Sequence, residues 1–88
     1  MEAVIISTSA DLTDLSKDTK AIAFSFRPSQ SDLIQAAKKC RGLKKVLISG
    51  GYELHVAKAS KRMLEVMGIE LVFKDLGIQG QRIRTMEV

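Results

Sequence analysis

The sequence has one cysteine, one histidine and no tryptophan among its 88 residues. A single cysteine excludes an internal disulfide, and one cysteine with one histidine cannot supply the ligands of a structural zinc site. Aromatic residues make up 5% of the chain, so the core must be aliphatic. No spacing suggests a nucleophile with its base. We therefore expect a protein that is not an enzyme and that holds no metal and no cofactor.

Long apolar runs are also missing. No stretch approaches the roughly 18 apolar residues of a membrane span, and the start Met1-Glu2-Ala3 lacks the positive charge and long apolar stretch of a signal peptide. Hydrophobic residues at 45% and charged residues at 27% are typical of a globular chain. We expect a single α/β domain over residues 1–88, located in the cytoplasm and without membrane contact.

Short apolar runs alternate with segments of helical spacing. The runs predict strands at 3–6, 21–26, 46–48 and 69–73, and the segments between them predict helices over about 9–17, 29–40 and 52–67. Thr8 with Asp11 and Ser29 with Asp32 have the spacing of a capping box. A weak alternation over 83–88 predicts an edge strand. The order β-α-β-α-β-α-β predicts a small α/β domain with a mainly parallel sheet of about four strands.

Two further expectations concern helix ends and faces. Gly42 and Gly68 follow helical segments and are predicted to stop them, Gly42 in a left-handed conformation. The last helix is predicted to turn an apolar stripe inward, consisting of Val56, Ser60, Met63, Leu64 and Met67.

The chain also contains a weak repeat. Val46 follows Ala21 by 25 residues, and Leu71 follows Val46 by the same interval, which is within the range of leucine-rich repeats. The stretch 37–48 resembles the cysteine-containing leucine-rich repeats, whose pattern is C-x-x-L-x-x-L-x-L, with Val46 and Ile48 where those repeats prefer leucine. Two or three units are too few for a free-standing solenoid, so a small wound sheet is favoured.

Positive charge is concentrated in one segment. Residues 38–62 contain eight cations against the single carboxylate of Glu53, whereas the rest of the chain is mildly acidic. The cations are Lys38, Lys39, Arg41, Lys44, Lys45, Lys58, Lys61 and Arg62. Clustered cations are what a nucleic-acid backbone requires, although an ordinary solvated surface explains them as well. We expect these residues to bind nucleic acid or an acidic protein partner.

Hydroxyls, glycines and one arginine follow the predicted strands. In an open α/β sheet the carboxyl ends of the strands gather at one edge, where ligands commonly bind. Backbone N–H groups at helix starts can hold an anion there. The candidate anion-binding residues are Arg27, Ser29, Ser49, Gly50 and Gly51. The alternative is that the serines are helix caps and that Gly50-Gly51 is a tight turn.

The remaining chemically active side chains have structural interpretations. His55 is predicted on the polar side of its helix, with no nucleophile or acid in register. Cys40 is predicted on an apolar helix face near a helix C-terminus, which is the wrong end to stabilise a thiolate. We expect a surface histidine and a core cysteine.

One string of residues carries a wider resemblance. Phe24-Ser25-Phe26-Arg27-Pro28-Ser29 and Gly68-Ile69-Glu70-Leu71 resemble an archaeal family of small proteins of unknown function with A-F-R-P-S and G-I-E-L segments. That pattern also has C-P at a helix end and Gly-x-Arg near the C-terminus. Here Ser25 replaces the alanine, Arg41 replaces the proline, and Gly80 with Arg82 match the tail. The resemblance implies an archaeal, cytoplasmic protein and brings no activity.

Three functions remain open from the sequence. The first is a binding module whose segment 38–62 docks on nucleic acid or on an acidic protein. The second is a domain that binds a small anion or phosphate ligand at the strand-to-helix loops. The third is a structural subunit of a homo-oligomer, formed as a homodimer through an open sheet edge.

Overall fold

The computed structural model describes residues 2–75 and 85–87 of the chain. The strands are β1 (Glu2–Ile6), β2 (Ala21–Phe24), β3 (Lys45–Ile48), β4 (Glu70–Phe73) and β5 (Thr85–Glu87). The helices are α1 (Gln30–Lys39) and α2 (Lys58–Val66), with 3-10 helices at Ser9–Asp14 and Gly50–His55. Gly80, Arg82 and Ile83, which belong to the predicted tail pattern and edge strand, lie outside the described residues.

The strands form one five-stranded sheet in the order β4-β3-β2-β1-β5. β1 to β4 are parallel neighbours in chain order, and β5 runs antiparallel to β1. The predicted α/β class, with four parallel strands interleaved with helices, is confirmed. The predicted edge strand near the C-terminus is confirmed over Thr85–Glu87.

All described helices pack on one face of the sheet. Right-handed crossovers between parallel strands in chain order place every connection on the same side. The main core therefore joins alternate strand residues such as Ile22 and Phe24 to Leu33 of α1 and Leu64 of α2. Leu12 of the first 3-10 helix belongs to the same core. This arrangement explains why the strands alternate large helix-facing residues with smaller ones.

The opposite face of the sheet has smaller side chains. The second buried cluster lies there, and Val72 of β4 packs against it; its members are Ala3, Ile5, Ala21, Ala23 and Leu47. Beside this cluster Lys45 forms an ion pair of 3.5 Å with Glu70, its register partner on β4. The two faces of the sheet therefore differ in side-chain volume as well as in the helices that cover them.

The strand register differs by one residue from the 25-residue repeat of the sequence. Val46 is paired with Ile22 rather than with Ala21, and Leu71 is paired with Val46. The difference is structurally significant, because a shift of one residue turns every side chain of a strand to the other face. In the observed register, Ile22, Val46 and Leu71 all face the helices.

The helix predicted over 52–67 is wrong as a single element. It is divided into the second 3-10 helix and α2 by Val56, whose backbone is extended at φ −87° and ψ 123°. Val56 is buried, so the break lets its side chain reach the core. Met67 is half exposed rather than turned inward. The helix predicted over 9–17 is a 3-10 helix of six residues.

The two predicted helix stops differ in conformation. Gly68 has φ of +76°, and it is the one described residue with positive φ, so the left-handed conformation predicted for Gly42 is wrong. At Gly68 the chain reverses from α2 into β4, with Gly68 N–H donating to Glu65 O at 3.0 Å and Ile69 N–H to Leu64 O at 2.8 Å.

We expect Gly68→Ala to lower the free energy of unfolding by about 1–2 kcal/mol, because an L side chain is strained in the left-handed region. The measurement is urea unfolding followed by circular dichroism. Gly51→Ala is the control, since its φ is not positive and a Cβ there meets no atom within 4 Å. The control should change stability by less than about 0.5 kcal/mol. Equal effects of both substitutions would contradict this account of the turn.

Candidate functional site

Cations gather at the amino edge of the sheet, where β2 and β3 begin. Lys38 and Lys39 form the last turn of α1, and Arg41 and Lys44 lie in the loop that leads to β3. These four side chains are exposed, and Lys45 at the start of β3 is half-buried. The position follows from the topology, because a crossover helix ends at the edge where the next parallel strand starts. Cations there also oppose the negative end of the helix dipole.

The fold adds the loop 16–20 to this edge. Lys20 O accepts hydrogen bonds from Lys44 N–H at 2.7 Å and Lys45 N–H at 3.2 Å. The thiol of Cys40 donates to Ser16 O at 3.3 Å. Both contacts hold the loop against the end of α1, so two lysines from outside the segment 38–62 join the same surface. We call this surface the basic edge, and it consists of Lys17, Lys20, Lys38, Lys39, Arg41, Lys44 and Lys45.

Gly42 makes room for one of these lysines. A Cβ at Gly42 would collide with Nζ of Lys20, and Cδ and Cε of that side chain would lie 3.5 Å from it. The Lys20 ammonium group therefore lies against Gly42, although a flexible lysine could move aside for a larger residue. Sequence reasoning missed Lys17 and Lys20, because only the tertiary contacts bring them to the turn.

Some side chains of the basic edge are engaged by the protein, and carboxylates lie among them. The ammonium group of Lys39 donates to Thr13 O, and Lys45 is paired with Glu70. Asp18 lies on the loop that carries Lys17 and Lys20, and its N–H is held by the hydroxyl of Ser16 at 3.1 Å. Glu2 at the start of β1 and its register partner Glu87 at the end of β5 lie at the same edge of the sheet. Seven cations against these four carboxylates leave the edge positive.

The cations of α2 are not part of the basic edge as a group. Lys58 begins α2 at the carboxyl edge, and Arg62 is exposed on the same helix. The ammonium group of Lys61 lies 5.4 Å from the centroid of the Phe73 ring, on the side of α2 that faces β4. The structure therefore divides the basic segment into two groups.

The candidate anion-binding residues lie at the carboxyl edge, but several of their donors are engaged. The hydroxyl of Ser29 accepts from Asp32 N–H at 3.1 Å, and Ser29 N–H donates to the Asp32 carboxylate at 2.9 Å. Gly50 N–H donates to Lys74 O at 3.2 Å, and Ser49 O accepts from Tyr52 N–H at 3.0 Å. Gly51 is exposed.

Arg27 is an exposed cation at the carboxyl edge, next to the end of β2. Within the described part of the chain it forms no hydrogen bond and no ion pair. Arg27 lies next to the residues that cap α1. The carboxylate of Asp32 already supplies a negative charge at that helix start.

Asp32 is the buried carboxylate of this edge, with 7% of its surface exposed. Burial alone raises the pKa of Asp32, but hydrogen bonds from Ser29 N–H and from the Ser9 and Ser29 hydroxyls outweigh it and bring the pKa below its ordinary value. The predicted capping box of α1 is confirmed. Asp11 caps the first 3-10 helix in the same way, accepting from Ser7 N–H at 2.9 Å and Thr8 N–H at 3.2 Å. Each of these two helix starts thus holds a carboxylate from its own chain.

Cys40 and His55 have the environments predicted for them. Cys40 is buried in the main core, and burial raises the pKa of its thiol, which a hydrogen bond with Thr19 and the charge of Lys39 only partly offset. His55 is exposed at the end of the second 3-10 helix. Over residues 2–75 and 85–87, no three histidine, cysteine or carboxylate side chains cluster as a metal site would require. No helix in that part of the chain is long and apolar enough to cross a membrane.

The fold and these edges define a small α/β domain with a sheet wound on one side. The model of a family of unknown function, DUF1699, matches residues 3–86 with its N-terminal domain. The chain therefore belongs to the DUF1699 family. No curated protein matches the chain, and no solved structure matches it.

We expect Asp32→Ala to lower stability at neutral pH by about 1–3 kcal/mol, because Ser29 N–H loses its charged acceptor. The folded pKa of Asp32 is lowered, so its contribution exists above the unfolded pKa and disappears as the pH falls through the folded pKa. The gap between parent and variant should therefore narrow in acid, as measured by urea unfolding from pH 7 to pH 2. Asp14→Ala, which removes an exposed carboxylate from the neighbouring helix, is the control. A gap that is constant with pH would contradict the assignment.

We also expect Cys40 to react with iodoacetamide only when the protein unfolds, because its thiol is buried and its pKa is raised. The measurement is alkylation followed by mass spectrometry, with and without denaturant. A Cys40→Ala/Ser31→Cys variant, with its thiol at an exposed position of α1, should react without denaturant. The raised pKa also means that the contribution of Cys40 to stability is present below the pKa of an unfolded cysteine and is lost as the pH rises through the folded pKa. Rapid alkylation of the native protein would be the opposite result.

Proposed function

We propose that this domain is a non-enzymatic module whose basic edge docks on the phosphate backbone of nucleic acid. The observation that carries the proposal is the convergence of two separate parts of the chain on one surface. Lys17 and Lys20 come from the loop before β2, and the other cations come from the end of α1 and the start of β3. Contacts between cations and phosphates supply most of the affinity of sequence-independent binding.

The positions of the aromatic residues favour contacts with phosphates over stacking on bases. Phe24 and Phe73 end β2 and β4, Phe26 follows β2, and Tyr52 lies in the second 3-10 helix. All four belong to the carboxyl half of the sheet, opposite the basic edge. Binding of single strands usually relies on aromatic side chains among the cations. A duplex, whose phosphates are presented along a regular surface, is therefore the better fit.

The carboxyl edge is the weaker candidate for the docking surface. Several of its N–H groups already have protein acceptors, and carboxylates occupy the starts of the first 3-10 helix and α1. A small-anion site there would depend on Arg27 together with Gly51. The proposal further includes an archaeal source and a cytoplasmic location, which rest on the Arg27-Pro28-Ser29 segment and on the single buried cysteine.

We expect binding to a short DNA or RNA duplex that weakens steeply as salt rises, because each neutralised phosphate releases counterions. The triple variant Lys20→Gln, Lys38→Gln, Lys44→Gln should reduce the slope of log K against log salt by about one for each lysine that no longer neutralises a phosphate. Fluorescence anisotropy of a labelled duplex over a series of salt concentrations measures both quantities. Circular dichroism of the variant verifies the fold.

The matched control removes three cations outside the basic edge, with Arg27→Gln, Lys58→Gln and Arg62→Gln. It should retain most of the affinity and the salt slope of the parent. A control that weakens binding more than the edge variant would transfer the site to the carboxyl edge and α2. A folded parent that binds no duplex at low salt would overturn the proposal, and binding of polyglutamate alone under those conditions would indicate an acidic protein partner.

A further inference from the structure

β4 ends the sheet on one side and has a described neighbour, β3, on its other side. Glu70 N–H donates to Lys44 O at 2.8 Å, and Lys74 N–H donates to Ile48 O at 3.1 Å. Alternate residues of a strand direct their backbone groups to opposite sides. The N–H and C=O groups of Leu71 and Phe73 therefore point away from β3, toward the outer edge of the sheet.

This outer edge is apolar and incompletely covered. Leu71, Val72 and Phe73, which are three of the four residues of β4, are each only half-buried. A groove of about 570 Å³ lies along β4 beneath α2, with Lys61 and Glu65 among the residues that line it. An apolar edge strand with free backbone groups is a template for another strand.

We propose that β4 pairs antiparallel with β4 of a second copy of this chain, about a two-fold axis at Val72. In this register Leu71 lies opposite Phe73 of the partner subunit, and each of these pairs exchanges two backbone hydrogen bonds. Val72 lies opposite its own copy. All outward backbone groups of Leu71 and Phe73 thus find partners, and the two sheets join into one.

The charges of β4 favour a second copy of the same strand as its pairing partner. Glu70 and Lys74 flank the apolar centre at equal distances from Val72. An antiparallel partner in the proposed register sets Glu70 opposite Lys74 of the partner subunit, and the symmetry repeats this pair at the other end. Centring the axis on Leu71 or Phe73 instead would set one of these charges against Val72. The sequence Glu-Leu-Val-Phe-Lys is thus self-complementary in one register.

The helix layer is complementary in the same register. Lys61 lies over Phe73, and α2 runs antiparallel to β4. Four helical residues advance about 6 Å, nearly as far as two strand residues. Glu65 is therefore level with Leu71. Because Phe73 faces Leu71 of the partner subunit, Lys61 is level with Glu65 of the partner subunit across the joined groove.

The test uses two charge reversals that repel themselves and attract each other. Lys74→Glu sets Glu70 against a glutamate, and Glu70→Lys sets a lysine against Lys74, each twice per dimer. We expect the parent to be dimeric and each variant to dissociate at least about tenfold more readily. An equimolar mixture of the two variants restores both opposite-charge pairs and should form a heterodimer. Sedimentation equilibrium over a range of concentrations measures all four samples.

Lys58→Glu, which reverses a charge at the start of α2, is the control and should remain dimeric. Thermal unfolding of each variant separates loss of fold from loss of association. A parent that is monomeric at every concentration would overturn the proposal. So would a dimer that both reversals leave intact, or two folded, monomeric variants that fail to associate when mixed.

Discussion

Right-handed crossovers between neighbouring parallel strands place every connection on one face of a sheet, provided that the strands follow one another in chain order. The rest of this structure depends on that constraint. Most of the large side chains of the strands face the helices, where they form the main core. The other face is lined by alanines and single aliphatic residues over β1 to β3. A domain with helices on one face of its sheet has two different ends, where the strands begin and where they end. It also has two different edge strands, β4 and β5, and binding sites can form at any of these places.

The two ends of the sheet differ because each helix has a positive N-terminal end and a negative C-terminal end. α1 begins at the carboxyl edge, where the carboxylate of Asp32 satisfies free N–H groups, and it ends at the amino edge with two lysines. Each charge is stabilised by the end of the helix dipole at which it lies. The charges at the two ends of α1 therefore follow its dipole, with a carboxylate at its N-terminus and two ammonium groups at its C-terminus.

Local signals in the sequence account for most of the fold. Buried strands show as continuous apolar runs, and Ser29 with Asp32 marks the start of α1, because these features act within a few residues. The break at Val56 was not predictable in this way, since it arises from the need to place one side chain in a core built by distant strands. The contact of Lys20 with Gly42 was missed for a similar reason, because that lysine comes from another loop. The basic edge was predicted only as far as residues 38–45, and the contribution of Lys17 and Lys20 required the pairing of β2 with β3.

β1 is held by two partners that lie at very different distances along the chain. Val4 is paired with Ile22 of the next strand and with Thr85 near the other end of the sequence. Pairing β1 with β2, β2 with β3 and β3 with β4 closes short loops, whereas pairing β1 with β5 closes almost the whole chain. Contacts of long sequence separation form late, because the entropy of closing the loop must be met first. We therefore expect β5 to pair with β1 last, after β1 to β4 have paired with one another. In a concentrated refolding mixture, we expect that β5 of one chain can pair with β1 of another.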